Sequence, residues 1–80
     1  MPNTNYRRPL NIAISDMEDL ARQLGALAPR YENQGESTDA LPIRARMRSA
    51  ETDALIAGAD PEDLRRRINA ARHEGRIAAL

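Results

Sequence analysis

Few residues in this sequence carry the chemistry of an active site. The chain has one histidine, His73, and no cysteine, and its four glycines are scattered rather than gathered in a phosphate-binding loop. A serine nucleophile would need His73 as its base. His73 lies in an arginine-rich helix end, and there an imidazole is better explained as a group that complements the negative end of the helix dipole. We therefore expect no enzymatic activity, no cofactor, no metal ion and no small-molecule substrate.

Two acidic clusters begin at Asp16 and Asp60. Both lack the ligand spacing and the central glycine of a calcium-binding loop. Each fits the start of a helix, where acidic side chains stabilise the positive end of the dipole. Ser15 and Glu18 have the spacing of a capping box, and Asp60 with Pro61 supplies an N-cap followed by proline at the first helical position. The clusters therefore predict helix starts.

All twelve basic residues are arginines, and they balance twelve acidic residues to a net charge of zero. Arginine makes forked contacts to carboxylates and phosphates, so it is suited to binding either an acidic protein or a nucleic acid. A dedicated DNA-binding domain usually has a stronger basic field than this chain. The candidate nucleic-acid contacts are Arg44, Arg46, Arg48, Arg65, Arg66 and Arg67.

Two segments resemble DNA-binding motifs. The spacing from Ala54 through Gly58 and Asp60 to Leu64 resembles the turn of a helix-turn-helix, which implies that the helix after it reaches DNA. The alternation of arginines over 44–48 resembles a ribbon-helix-helix protein, in which paired strands of a dimer enter the major groove. Together these resemblances make a DNA-binding transcriptional regulator with its binding segment in 41–68 the alternative function.

Composition excludes several classes of protein. Without cysteine there is no disulfide and no thiolate metal site. The apolar stretches are far shorter than the roughly 20 residues that span a bilayer, and the one after Arg8 is too short for a signal peptide. We expect a single small cytoplasmic domain over residues 1–80, without a membrane partner.

The first half of the chain predicts a short strand and a helix. Residues 1–9 form a polar lead-in, and apolar residues then alternate over 10–14, which is the period of a half-buried strand. An apolar stripe at steps of three and four predicts a helix over about 16–28, which Pro29 ends or kinks.

The second half begins with a polar loop or linker over 30–40. Residues 42–48 have the alternation of a strand and also part of a helical stripe, and we favour a short strand followed by a helix over about 50–57. Gly58 ends that helix. A third helix is predicted over about 60–74, ending at Gly75. In it, Glu62 with Arg66 and Asp63 with Arg67 have the spacing of stabilising ion pairs.

These elements indicate a mainly α, three-helix domain with a thin core. The chain has no Phe, Trp or Val, 14 Leu and Ile residues in total, and 14 Ala residues. Short helices must pack against something, and small chains without disulfides or metals often gain stability by binding a partner. We therefore expect a small regulator that acts by protein–protein contact, such as an inhibitor, adaptor or antitoxin-like protein of a phage or plasmid, and that forms a homodimer. Its candidate contact residues are Met17, Leu20, Leu24, Leu27, Tyr31, Leu64 and Ile68.

Overall fold

The computed structural model describes residues 7–31 and 39–80, except for the side chains of 28–31. This part of the chain forms three α-helices and contains no strand: α1 (Leu10–Tyr31), α2 (Ala40–Ile56) and α3 (Pro61–Ala78). The predicted mainly α, three-helix fold is confirmed. Of the predicted linker over 30–40, residues 32–38 lie outside the described residues, as do residues 1–6 of the lead-in.

The strand predicted over 10–14 is wrong, because these residues form the start of α1. The alternating isoleucines do not share a buried face: Ile12 is 46% exposed. Some of the buried positions that repeat every three or four residues in α1 are alanines, and the alternation of the larger residues hid this helical spacing. The buried apolar side chains described for α1 lie at steps of four, four and three, and they are Ala13, Met17, Ala21 and Leu24. Ser15 and Glu18 therefore lie inside α1 rather than at its start, and Pro29 precedes its last two residues.

The strand predicted over 42–48 is also wrong, since α2 runs without interruption from Ala40 to Ile56. Pro42 lies in the first turn, where backbone N–H groups have no partner within the helix, so its missing N–H costs nothing there. The buried residues of α2 are all alanines, namely Ala40, Ala50 and Ala54. The predicted stop at Gly58 is confirmed, because this glycine has φ +102° just beyond the helix.

The start of α3 agrees with its prediction in atomic detail. Asp60 lies in an extended conformation, and its side chain accepts a hydrogen bond from the backbone N–H of Asp63 at 3.0 Å. Pro61 is the first helical residue. The end of α3 differs: the helix continues to Ala78, and Gly75 lies buried inside it instead of capping it. The reason is tertiary, because Gly75 packs against the main chain of α1.

The helix α1 lies between the other two. It contacts both α2 and α3 extensively, whereas α2 and α3 barely contact each other. Arg8, just before α1, bonds to Asp53 near the end of α2, so α2 runs antiparallel to α1. The side-chain contacts between α1 and α3 include Glu18 with Arg67, and Arg22 with Glu74. The later residue of α1 contacts the later residue of α3, so the two helices run parallel.

This arrangement leaves a flat molecule with a small core. Its Cα atoms span 41 × 29 × 16 Å, and their radius of gyration is 13.5 Å, where a compact chain of this length has about 12 Å. The largest fully buried side chains are Met17 and Leu64, and the alanines of α1 and α2 surround them. Ile14, Met47, Ala59 and Ile68 pack half-buried against this cluster.

Candidate interaction surfaces

One arginine joins the first two helices on one face of the molecule. Arg8 Nε lies 2.9 Å from Asp16 Oδ2, and Arg8 Nη1 lies 2.9 Å from Asp53 Oδ2. The same Nη1 donates to Ser49 Oγ at 3.4 Å, and the backbone N–H of Arg8 donates to Asp53 Oδ2 at 3.4 Å. The side chain of Asp53 is 17% exposed, so this bridge is partly shielded from solvent. The predicted lead-in is thus anchored at Arg8.

Exposed aliphatic residues gather beyond this bridge. Ile12 precedes Asp16 by one helical turn and Ile56 follows Asp53 by nearly one turn, and the two helices are antiparallel. Both isoleucines therefore lie on the same side of the bridge, at the end where α1 begins and α2 finishes. Ile12 is 46% and Ile56 is 55% exposed, and at the same end Leu10 is 39% and Leu55 is 41% exposed. We call these four residues the aliphatic end.

The contact between α1 and α3 depends on two glycines. A Cβ atom on Gly25 would lie 2.0 Å from the carbonyl oxygen of Arg72, and one on Gly75 would lie 2.0 Å from that of Arg22. The backbones of the two helices therefore touch directly at their crossing. Neither position admits any side chain without the helices moving apart.

Ion pairs flank this crossing. Arg22 Nε donates to Glu74 Oε1 at 3.0 Å, and this hydrogen bond raises the pKa of the Arg22 guanidinium. Arg67 Nε donates to Asp63 Oδ2 at 2.8 Å, and Arg67 Nη1 to Glu18 at 3.4 Å. The hydrogen bond from Arg67 holds the pKa of the Asp63 carboxyl below its usual range. The predicted Asp63–Arg67 pair is confirmed, whereas Arg66 lies 3.6 Å from Asp63 rather than pairing with Glu62.

The predicted contact residues divide by burial. Met17, Leu24 and Leu64 are buried in the chain's own core, so they are not available at its surface. Leu20, Leu27 and Ile68 are half-buried beside it. The side chain of Tyr31 lies outside the described residues. Sequence reasoning missed the aliphatic end, although one signal was present: Ile12 and Ile56 stand off the apolar stripes of their helices.

The arginines predicted to contact DNA do not share a face. Because 44–48 is helical, Arg46 points away from the face that Arg44 and Arg48 share, and the ribbon of a ribbon-helix-helix protein is absent from the described residues. A turn does join α2 to α3, but these helices barely contact each other, unlike the helices of a helix-turn-helix. Arg66 and Arg67 face acidic residues, and Arg65 is exposed.

His73 is exposed on α3. Among the residues that the structure describes, no group of three or more histidines and carboxylates could hold a metal ion. The helices of residues 7–31 and 39–80 include none that is long and apolar enough to cross a bilayer.

Comparison with known proteins gives no relative for this chain. No protein-family model, no curated protein and no solved structure matches it.

Proposed function

We propose that this chain is a small regulatory protein without catalytic activity that acts by binding proteins, and that it associates with a second copy of itself through the aliphatic end. The observation that supports this proposal is the distribution of its large aliphatic residues. Met17 and Leu64 are fully buried, while four of the seven exposed large hydrophobic residues in the described part of the chain lie at the aliphatic end, 39–55% exposed. Single exposed aliphatic residues are normal on a protein surface, but a group of them indicates an interface.

The energetics favour covering this end. Burial of apolar surface contributes about 25 cal/mol per Å², so enclosing several half-exposed Leu and Ile side chains adds stabilisation that the alanine core lacks. The chain has no cysteine with which to form a disulfide in its place. Small domains with so little core commonly gain this stabilisation through association.

The border of the aliphatic end is compatible with a second copy as the partner. A two-fold interface places the same surface on both sides, so it must not bring like charges together. The adjacent bridge contains Arg8 together with Asp16 and Asp53, which are side chains of both signs. A two-fold arrangement can therefore place the arginine of one copy, rather than a like charge, opposite the carboxylates of the other.

Sedimentation velocity over a concentration series tests the proposal. Ile56→Asp places a charge in the aliphatic end, and Ile77→Asp is the matched control, because Ile56 and Ile77 are 55% and 56% exposed and Ile77 lies at the far end of α3. We expect the unmodified chain and Ile77→Asp to dimerise as concentration rises, and Ile56→Asp to remain monomeric. A monomer at every concentration, or equal loss of the dimer in both variants, would overturn the proposal.

A further inference from the structure

The helix α3 has two polar stripes on opposite sides, and they differ in charge balance. One stripe consists of Asp63, Arg67 and Glu74, and it borders α1, where its carboxylates bond to arginines. The other consists of Arg65, Asn69, Arg72 and Arg76, at steps of four, three and four along the helix. These steps place its members on one face. We call this second set the basic stripe.

Two arginines of the basic stripe, Arg65 and Arg72, lack partners within the described part of the chain. Neither Arg65 nor Arg72 forms an ion pair or a side-chain hydrogen bond there, whereas Arg76 has an interaction of its own. Two nearby carboxylates are already engaged, since Asp63 binds Arg67 and Glu74 binds Arg22. The chain has no net charge, yet this face of α3 therefore carries a local excess of positive charge.

We propose that the basic stripe binds an acidic helix of a partner protein, with Arg65 and Arg72 each holding a carboxylate. Arg72 follows Arg65 by seven positions, which is about 10.5 Å along a helix. Carboxylates seven residues apart on a partner helix have the same separation and lie on one face. A guanidinium holds a carboxylate through two parallel hydrogen bonds, and the amide of Asn69 lies between the two contacts. This inference rests on the proposed function in one respect, namely that the partner is a protein.

The charge distribution favours an acidic protein over a nucleic acid. Binding to DNA depends on neutralising several phosphates, and log affinity falls by about 0.9 per phosphate contacted for each decade of salt. The basic stripe places two unpartnered arginines along α3, and Glu62, three positions before Arg65, lies on the same face at the helix start. Two contacts of defined spacing suit a pair of carboxylates better than a continuous row of phosphates.

Fluorescence anisotropy with defined probes tests the proposal. The probes are a synthetic helical peptide with glutamates at seven-residue spacing, the same peptide with glutamines, and a mixed-sequence DNA duplex. The variant Arg65→Gln/Arg72→Gln removes two charges from the stripe. Its matched control, Arg46→Gln/Arg48→Gln, removes two charges from exposed positions of α2. We expect the glutamate peptide alone to bind, with about tenfold weaker binding for the stripe variant and unchanged binding for the control.

Three outcomes would overturn the proposal: no binding of the glutamate peptide at low salt, equal loss in both double variants, or tighter binding of the duplex through the same two arginines. Arg72 is half-buried, so Arg65→Gln alone serves as a second variant, with a smaller loss expected and the circular dichroism spectrum as a check of folding. The Ile56→Asp variant separates this proposal from the proposed function, because it should lose the dimer and keep peptide binding.

Discussion

Arg8 is the residue whose role differs most from its local sequence context. It lies in a polar segment before the first helix, yet its guanidinium bonds to carboxylates on both α1 and α2. Nothing in the neighbouring residues indicates these partners, since Asp53 is 45 positions away. By contrast, the role of Asp60 follows from its immediate neighbours, because an N-cap contacts a backbone N–H only three residues on.

We expect Arg8→Ala to lower the free energy of unfolding by about 1–2 kcal/mol, because a partly shielded arginine that bonds to two carboxylates contributes more than an exposed pair. Urea denaturation followed by circular dichroism measures this change. Arg7→Ala is the matched control, since Arg7 is exposed and should change stability by less than about 0.5 kcal/mol. Equal losses in the two variants would show that the bridge does not stabilise the fold.

At the scale of elements, the crossing of α1 and α3 depends on Gly25 and Gly75 together. In an exposed helix, replacing glycine by alanine stabilises by about 1 kcal/mol, because alanine has the higher helix propensity. Here the added methyl would meet a backbone carbonyl at 2.0 Å, so the helices must separate. We expect Gly25→Ala and Gly75→Ala each to destabilise the protein by about 3 kcal/mol or more.

Urea denaturation tests this prediction sharply, because helix propensity alone would make the two glycine-to-alanine variants more stable, whereas the close crossing makes them less stable. Ala70→Gly, at an exposed position of α3, isolates the propensity term, and we expect it to cost about 1 kcal/mol. If Gly25→Ala or Gly75→Ala instead raised the midpoint of unfolding, the close approach of the two backbones would be refuted.

The same elements show how far the sequence alone leads. The existence of three helices, the cap at Asp60 and the stop at Gly58 follow from local residue chemistry, and the structure contains them. The strand predicted over 10–14 failed because alternation among large residues concealed a helical period in which Ala13 is the buried position. The strand predicted over 42–48 failed because its alternation was preferred to the helical stripe of Ile43 and Met47, which are half-buried in α2. Gly75 was predicted as a cap because its contact with α1 is tertiary and leaves no local signal.

The candidate surfaces were harder to predict than the helices. The apolar stripe of α1 indicated which of its residues are buried, but burial alone does not distinguish the chain's own core from an interface. Met17 and Leu24 proved to be core. Ile12 and Ile56 lie at the same end of the helix pair only because α2 folds back along α1, which no local pattern encodes.

At the scale of the whole molecule, stability is concentrated in few side chains. The helices form a layer in which α1 alone contacts both neighbours, so the core is confined to the contacts along α1. Leu64 is fully buried where α3 begins and packs in one cluster with residues of α1 and α2. It therefore belongs to the one cluster that contains buried residues of all three helices.

We expect Leu64→Ala to remove most of the stability of the fold. Replacing a buried leucine by alanine costs about 2–5 kcal/mol, and a domain of this length has about 4–12 kcal/mol in total, with a thin core placing it near the lower bound. Thermal unfolding followed by circular dichroism measures the loss, and Leu55→Ala is the matched control, because Leu55 is 41% exposed. At low protein concentration, where the proposed dimer would be dissociated, Leu64→Ala should lose most of its helical signal and Leu55→Ala should keep it. If Leu64→Ala retained the melting temperature of the unmodified chain, the core would have to lie elsewhere than at the junction of the three helices.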